Sequence, residues 1–540
     1  MSSPPEKLVE LQRYHSNIVF KSGEFIDLDL LNDNRSLLHT GTLSMQLRSR
    51  TWSEVFVLLF DNYLVITGLR ETDGTTQYHV VKRPVPLELL TLVNFTDPPV
   101  QRGNPGLLNK LRGGAAAEAP TDGFPCMIRH NARAGGSYVM YADTAQVRTE
   151  WQRKLVEALS LRRVVQESNK VFEVEMLNSD TLDKSLTGKI TCSVPFNTPD
   201  GRALMAIGGT DGVWVGSRPG LHSVKRVLDL QFVTQLAVVE DFGVFIVLAN
   251  ETLFAYHIEA LAPSSPPKVN LDLTPQKLGN KAQFFVVGNL HGRILVAFMK
   301  KKANDSIFRM VEPIPDKINQ QPKTSTVRGS PSESPISEWF RVYRDFFLEA
   351  ESFDLVFLKA RIVITTTSGF EVMDLSDFKS VTIPPREQLD KQLVKRMKTC
   401  RPVGAFRVRD GEEFLLCFNE FGLYVTKHGD PSPTRSVCTV EWEGNVQRAV
   451  LQAPYLLLFD ADFIEVRDLG TGRLVQIIPG QDIRCLWDGR GRVSVDGQRK
   501  EKEELVRIQA VMNIMGRQRV FQLVPLVPLS VIPESQSTKA

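Results

Sequence analysis

"PYLLLFDADFIEVRDLGTGRLVQIIPG", residues 454–480, sets Asp460, Asp462, Glu465 and Asp468 inside one of the most apolar stretches of the chain. Two aspartates and a nearby glutamate invite a metal site or a general base. Strand periodicity leads elsewhere. "YLLLF" reads as a strand that stops at the turn "DAD". "FIEVRD" follows, with Ile464 and Val466 on one face and Glu465 beside Arg467 on the other, and "LGTG" turns the chain back into "RLVQIIP". The carboxylates then fall at a turn, on an exposed or ion-paired face and at a strand end. The stretch predicts short antiparallel strands, not a reaction centre.

The same pattern recurs on both sides of it. From about residue 170, "KVFEVEML", "KITCSV", "ALMAIGG", "GVWVGS", "GVFIVLAN" and "RILVAFM" are followed, in the second half, by "RIVITTT", "EFLLCFN", "GLYVTKH" and "IRCLWDG". Many short apolar strands punctuated by Gly, Asp and Asn over this length signal a closed repeat of β-sheets. Blades of four strands take about 40 to 50 residues each, so seven blades fit 170–525. Within that span, residues 313–338 are rich in Pro, Ser and Thr and poor in aliphatics, which predicts a disordered loop. Residues 384–402 predict a short amphipathic helix between prolines, with Leu389, Leu393 and Met397 on one stripe. Residues 526–540 read as a flexible tail.

The first third is organised differently. "LLHTGTLSMQL", "WSEVFVLLFDN" and "YLVITGL" read as an antiparallel meander, extended by "QYHVVKRPVPLELL" and resumed at "FPCMIRH" and "GSYVMYAD". Between them "QRGNPGLLNKLRGGAAAEAPTDG" has the composition of a long loop. "DTAQVRTEWQRKLVEALSLRR" predicts a helix capped by Asp143, with Gln146 completing a capping box and Val147, Trp151, Leu155 and Ala158 or Leu159 along one face.

Bulk composition narrows the function classes. The chain has 540 residues, 42% hydrophobic and 24% charged, with a formal net charge of +3. That is a folded protein of two or three domains without the basic excess that nucleic-acid binding needs. Its six cysteines form no CxxC pair, against a zinc site or a disulfide framework and in favour of a reducing compartment. No apolar run has signal-peptide or membrane-spanning character. The sequons at Asn94, Asn250 and Asn304 are therefore read as chance matches. There is no GxSxG, HExxH or Walker A motif, and "GGTDG" lacks dinucleotide-binding spacing. No cofactor is expected.

Strands followed by one capped helix with a central Trp, over 36–165, resemble a pleckstrin homology (PH) domain. "GGTDGVWVGSR" (208–218), "KRVLDLQFVTQLAVVEDFGVFIVLANETLFAYHIEAL" (225–261), "SGFEVMDL" (368–375) and the opening stretch resemble a citron homology (CNH) domain over about 170–525. The implied fold is mainly β: a PH-type β sandwich with a C-terminal helix, followed by a seven-bladed CNH β-propeller. "IDLDLLNDNRSLLHTGTLSMQ" resembles the linker between the catalytic Dbl homology (DH) helices and the PH domain in fungal Rho guanine nucleotide exchange factors of the Rom type. Residues 1–35 are read as that linker. The resemblance implies a non-catalytic regulatory and scaffold region, its propeller binding a Rho-family GTPase in signalling of the cell wall integrity type. It also implies a cytoplasmic location, peripheral at the plasma membrane, with a DH domain upstream. Two alternatives stand beside it: a phosphoinositide-dependent membrane-recruitment module, and the PH–CNH tail of a citron-like kinase.

The site residues follow from these readings. Arg48 and Arg50 after the first PH strand, with Lys110 and Arg112 in the long loop, are the set that would meet a lipid headgroup; that first strand carries no Lys. Lys391, Lys395, Arg396 and Lys398 would present a basic helix to a partner, against the plainer reading that the helix covers a propeller face. Ser330 and Ser334, each before a proline, are candidate phosphorylation sites.

Overall fold

The computed structural model describes residues 4–21, 24–46, 52–101, 122–177, 187–218, 221–264, 273–318, 337–358, 360–408, 412–490 and 507–527. The chain divides into two compact units. The first comprises Met1–Lys170 with the segments Thr439–Asn445 and Gly472–Ile477, and the second the remaining residues.

In the first unit, the strand Leu37–Gln46 pairs with Trp52–Phe60 on one side and with Gly136–Ala142 on the other, so the meander bends round on itself. The run "WSEVFVLLF" lacks polar alternation because both its faces are covered. Val55, Val57 and Leu59 pack with Trp151 and Leu155 of the helix Ala145–Asn169, while Leu58 and Phe60 pack with Leu11, Tyr14, Ile26, Leu28 and Leu30. Leu11 and Tyr14 belong to a helix, Pro4–Asn17, so the segment read as a linker forms a packed layer of this unit. Trp151 seats over Gly41, where a Cβ would lie 3.4 Å from the indole.

The long helix keeps its expected apolar face: Trp151, Leu155 and Ala158 are buried, and Val147 and Leu159 pack beside them. Its cap differs from the expectation. Thr144, not Asp143, is the N-cap, extended at φ −137° and ψ 156°, and its side chain accepts from the Val147 amide at 3.2 Å. Both residues are good capping types, so only the backbone turn decides between them. With the cap moved by one residue, Gln146 no longer stands at the capping-box position.

The second unit is a seven-bladed β-propeller of four-stranded antiparallel sheets. Its innermost strands are Ile190–Asn197, Val233–Val239, Ala282–Leu290, Ser352–Phe357, Pro402–Arg407, Arg448–Gln452 and Arg484–Trp487, taken as blades 1 to 7. Blade 7 closes the ring from both ends of the second unit: Phe172–Met176 pairs with Arg517–Pro525, Phe172 opposite Pro525 and Met176 opposite Phe521. Cores of buried aliphatic and aromatic side chains fill the spaces between adjacent blades, one of them containing Phe196, Phe245 and Tyr256.

Strand alternation brings the second-to-third hairpins of each blade, and the connectors between blades, to the same side of the propeller. There they are bonded to one another. The Phe232 amide donates to Thr210 O at 2.8 Å, and the Ala282 amide to Glu251 O at 2.8 Å. The Asn419 amide donates to Arg401 O at 2.9 Å, and the Val446 amide to Asn419 O at 2.7 Å. The Gly480 amide donates to Asp462 O at 2.9 Å, and the Asn513 amide to Gln481 O at 2.7 Å. On the other side, among the described residues, the corresponding backbone bonds stay inside a blade, as from Ile258 to Gly243 and from Leu469 to Pro454, and side chains make the bonds between blades, as from Arg202 to Ala262 O at 3.0 Å.

The opening stretch forms the strands Tyr455–Phe459, Phe463–Asp468 and Leu474–Pro479, in the order its periodicity predicts. Glu465 and Arg467 are ion-paired, and the pair is buried. Of residues 313–338, the described part includes a helical turn, Pro315–Ile318, whose Ile318 is buried in a core cluster. Residues 319–336 and 528–540 lie outside the described residues.

Candidate functional site

The four carboxylates of the opening stretch do not converge. Asp460 accepts the Asp462 amide at 3.0 Å, and Asp468 accepts the amide and hydroxyl of Thr471 at 2.7 and 2.8 Å. These are turn-closing bonds, the ordinary work of Asp at a strand end. Among the described residues no three His, Cys, Asp or Glu side chains are grouped to hold a metal ion.

The innermost strands enclose a cavity of about 380 Å³, lined among others by Thr191, Gln235, Phe285, Asp354, Arg448 and Trp487. Its charged wall is a closed ring. Asp354 receives Arg448 at 3.4 Å and Arg490 at 2.8 Å, while Asp488 receives Arg490 at 2.8 Å and Arg448 as well. Burial pushes the carboxyls of Asp354 and Asp488 up, and Arg448 beside them opposes it. The ring ties blades 4, 6 and 7 across the cavity, with two cations matched by two anions. Cys485 lies in the same wall, and burial pushes its thiol up, so it stays protonated. Ser193 donates to Gln509 Oε1 at 2.6 Å, an amide that cannot take its proton. A third arginine of the lining, Arg484, donates to Ile190 O at 2.6 Å and to Gln518 Oε1 at 3.0 Å, so the cavity wall is net cationic and presents no activated nucleophile.

A second buried ionic cluster lies within the first unit. Arg83 grips Glu443 with two nitrogens, at 2.9 and 3.2 Å, and His130 Nε2 stands 3.6 Å from the same carboxylate. Glu441 lies 3.7 Å from both Arg83 and Arg133. Burial alone would raise the Glu443 carboxyl, but Arg83 and His130 hold it well below the usual range. No spacing signal joins these residues in the sequence, where Arg83 and Glu443 are 360 positions apart. The only hint is the pair of glutamates flanking Trp442 in "TVEWEG".

The residues singled out in the sequence fall in different places. Arg48, Arg50, Lys110 and Arg112 lie outside the described residues, as do Ser330 and Ser334. The basic helix is present as Lys391–Thr399, capped by Asp390, whose side chain accepts the Gln392 amide at 3.1 Å. Met397 is buried, and Leu389 and Leu393 pack beside it on the core between blades 4 and 5. Arg396 lies over the Phe421 ring at 4.2 Å, so it belongs to the covering face. Lys391, Lys395 and Lys398 are exposed. The helix thus covers a propeller face and presents three lysines to solvent.

A sandwich closed by a Trp-bearing helix, followed in the chain by a seven-bladed propeller, defines the class of architecture. Sequence comparison places it further. The CNH domain model matches residues 201–489 and a pleckstrin homology domain model residues 37–158, and the chain belongs to the CNH domain family. It is similar to Rho1 guanine nucleotide exchange factor 1 of Schizosaccharomyces pombe, 28% identical over 516 residues that cover 92% of this chain and 37% of the relative. It is also similar to RHO1 GDP-GTP exchange protein 2 of Saccharomyces cerevisiae, 24% identical over 87% of this chain and 34% of the relative. The chain thus spans little more than a third of the length of these relatives. The solved AfRom2 CNH domain matches 66% of this chain and all of its own length, at 24% identity and a TM-score of 0.51, which shows the shared propeller fold.

Proposed function

We propose that this chain is the non-catalytic regulatory and scaffold region of a Rho-type guanine nucleotide exchange factor. The propeller holds a Rho-family GTPase, and the PH domain positions the molecule at an anionic membrane or beside an exchange domain. The observation that carries this reading is the match along 92% of the chain to a Rho1 exchange factor, with a PH domain followed by a CNH domain. The exchange step would then belong to residues outside the matched third of such a protein. A second docking site on the same polypeptide raises the local concentration of the substrate GTPase towards the millimolar range when the connection is short. Location on the cytoplasmic side of the plasma membrane is part of the same proposal. No helix among the described residues is long and apolar enough to cross a membrane.

The test is a calorimetric titration of the chain with a Rho GTPase loaded with GDP or with a non-hydrolysable GTP analogue. Saturable binding in at least one state is expected, and silence in both would sink the scaffold reading. Flotation with phosphoinositide vesicles, before and after Arg48→Ala and Arg50→Ala together, measures the membrane contribution separately.

A further inference from the structure

Blade 3 ends in the outer strand Phe340–Leu348, nine residues long, where the outer strands of blades 2 and 4 have four each. Among the described residues no strand pairs with its outer edge. A register shift at Tyr343 interrupts it, and beyond that 344–348 runs in regular register with its neighbour. Sheets usually blunt such edges with short strands, prolines or charge, because unpaired N–H and C=O groups invite another strand. This edge is instead apolar at its end: Phe347 is 64% exposed and stands opposite Ile307, itself 37% exposed.

The face around this pair is cationic. Lys300 lies opposite Ile307 on the next strand, so Lys300, Ile307 and Phe347 form one row across three strands. Burial lowers the Lys300 pKa, and Arg309, Lys277 and Lys281 push it the same way, against Asp345. Asp345 is already matched by Arg309 at 2.6 Å, whereas Lys277 and Lys281 are exposed and hold no ion pair among the described residues. The row therefore has spare positive charge, an apolar centre and, among the described residues, an edge that no strand pairs with.

We propose that this face docks an extended acidic segment of a partner protein, which pairs with the edge 344–348, seats an apolar side chain on Ile307 and Phe347 and sets carboxylates against Lys277, Lys281 and Lys300. Strand addition supplies affinity through the main chain, and alternate side chains supply selectivity. An anionic bilayer fits less well. It would leave the edge unpaired, and Asp305 and Asp345 on the same face would oppose it. This docking face is separate from the GTPase reading and stands or falls without it.

The probe is a fluorescent acidic peptide in which glutamate alternates with isoleucine and phenylalanine, titrated into the full chain by anisotropy. The controls are a peptide of alternating glutamate and serine, and phosphatidylcholine vesicles containing phosphatidylserine. Binding of the apolar acidic peptide is expected, together with slowed amide exchange at 344–348. Phe347→Glu should weaken it on the order of tenfold, the scale of one interface anchor. Lys300→Gln should weaken it less and flatten its salt dependence. Absence of binding, equal affinity for the serine peptide, indifference to Phe347→Glu, unchanged exchange at the edge, or binding of the vesicles alone would each overturn the proposal.

Discussion

At the residue scale, Glu443 decides most in the first unit. Its carboxylate is fully buried and held by the Arg83 fork. A buried charge that loses its partner is costly, so Glu443→Gln, which takes from Arg83 the carboxylate it grips with two nitrogens, should lower the stability of this unit by roughly 3 kcal/mol in denaturant unfolding. The pH dependence has a definite sign. Folding depresses this carboxyl, so its contribution is present above the ordinary glutamate pKa of about 4.3 and is lost as the pH falls below it. The gap between wild type and Glu443→Gln should therefore narrow as unfolding is repeated at lower pH. None of this was legible in the sequence, because the partners meet only through tertiary folding. The pair Glu465 and Arg467 is the converse case: strand periodicity places both on one face, but their burial is not revealed by any local pattern.

At the scale of elements, the helix Ala145–Asn169 separates what sequence specifies from what it leaves open. Its apolar face is set by spacing, and all five predicted side chains reach the core or its margin. Its start rests on a choice between two adjacent capping residues. Thr144→Ala should cost about 1 kcal/mol, the usual worth of a cap, and Asp143→Ala a smaller amount, measured by thermal unfolding. Trp151→Ala should cost about 3 to 5 kcal/mol, since the indole fills the space that Gly41 leaves. The short helix Lys391–Thr399 was equally readable, stripe and basic rim alike. What its sequence could not assign was Arg396, whose placement over Phe421 depends on a residue from the next blade.

At the scale of the whole molecule, the number of blades follows from length and strand spacing, whereas the closure of the ring does not. Phe172–Met176 reads as one more strand in the sequence, yet it completes the last blade from the start of the second unit. Phe172 is buried and packs edge-on against Tyr455 at 5.9 Å. Phe172→Ala should cost about 3 to 5 kcal/mol and lower the unfolding midpoint of the second unit as one transition, visible by calorimetry. The bonds between hairpins and connectors carry a further consequence, for growth of the sequence. The three longest connections inside blades, 258–275, 314–339 and 488–508, all leave from the side where, among the described residues, no backbone bond crosses between blades. A glycine–serine insertion within 491–506 should leave the midpoint nearly unchanged, while the same insertion between Thr210 and Asp211 should lower it by several degrees. One side of this propeller fixes how its blades follow one another. The other carries the long connections, where added chain leaves the bonds between hairpins and connectors in place.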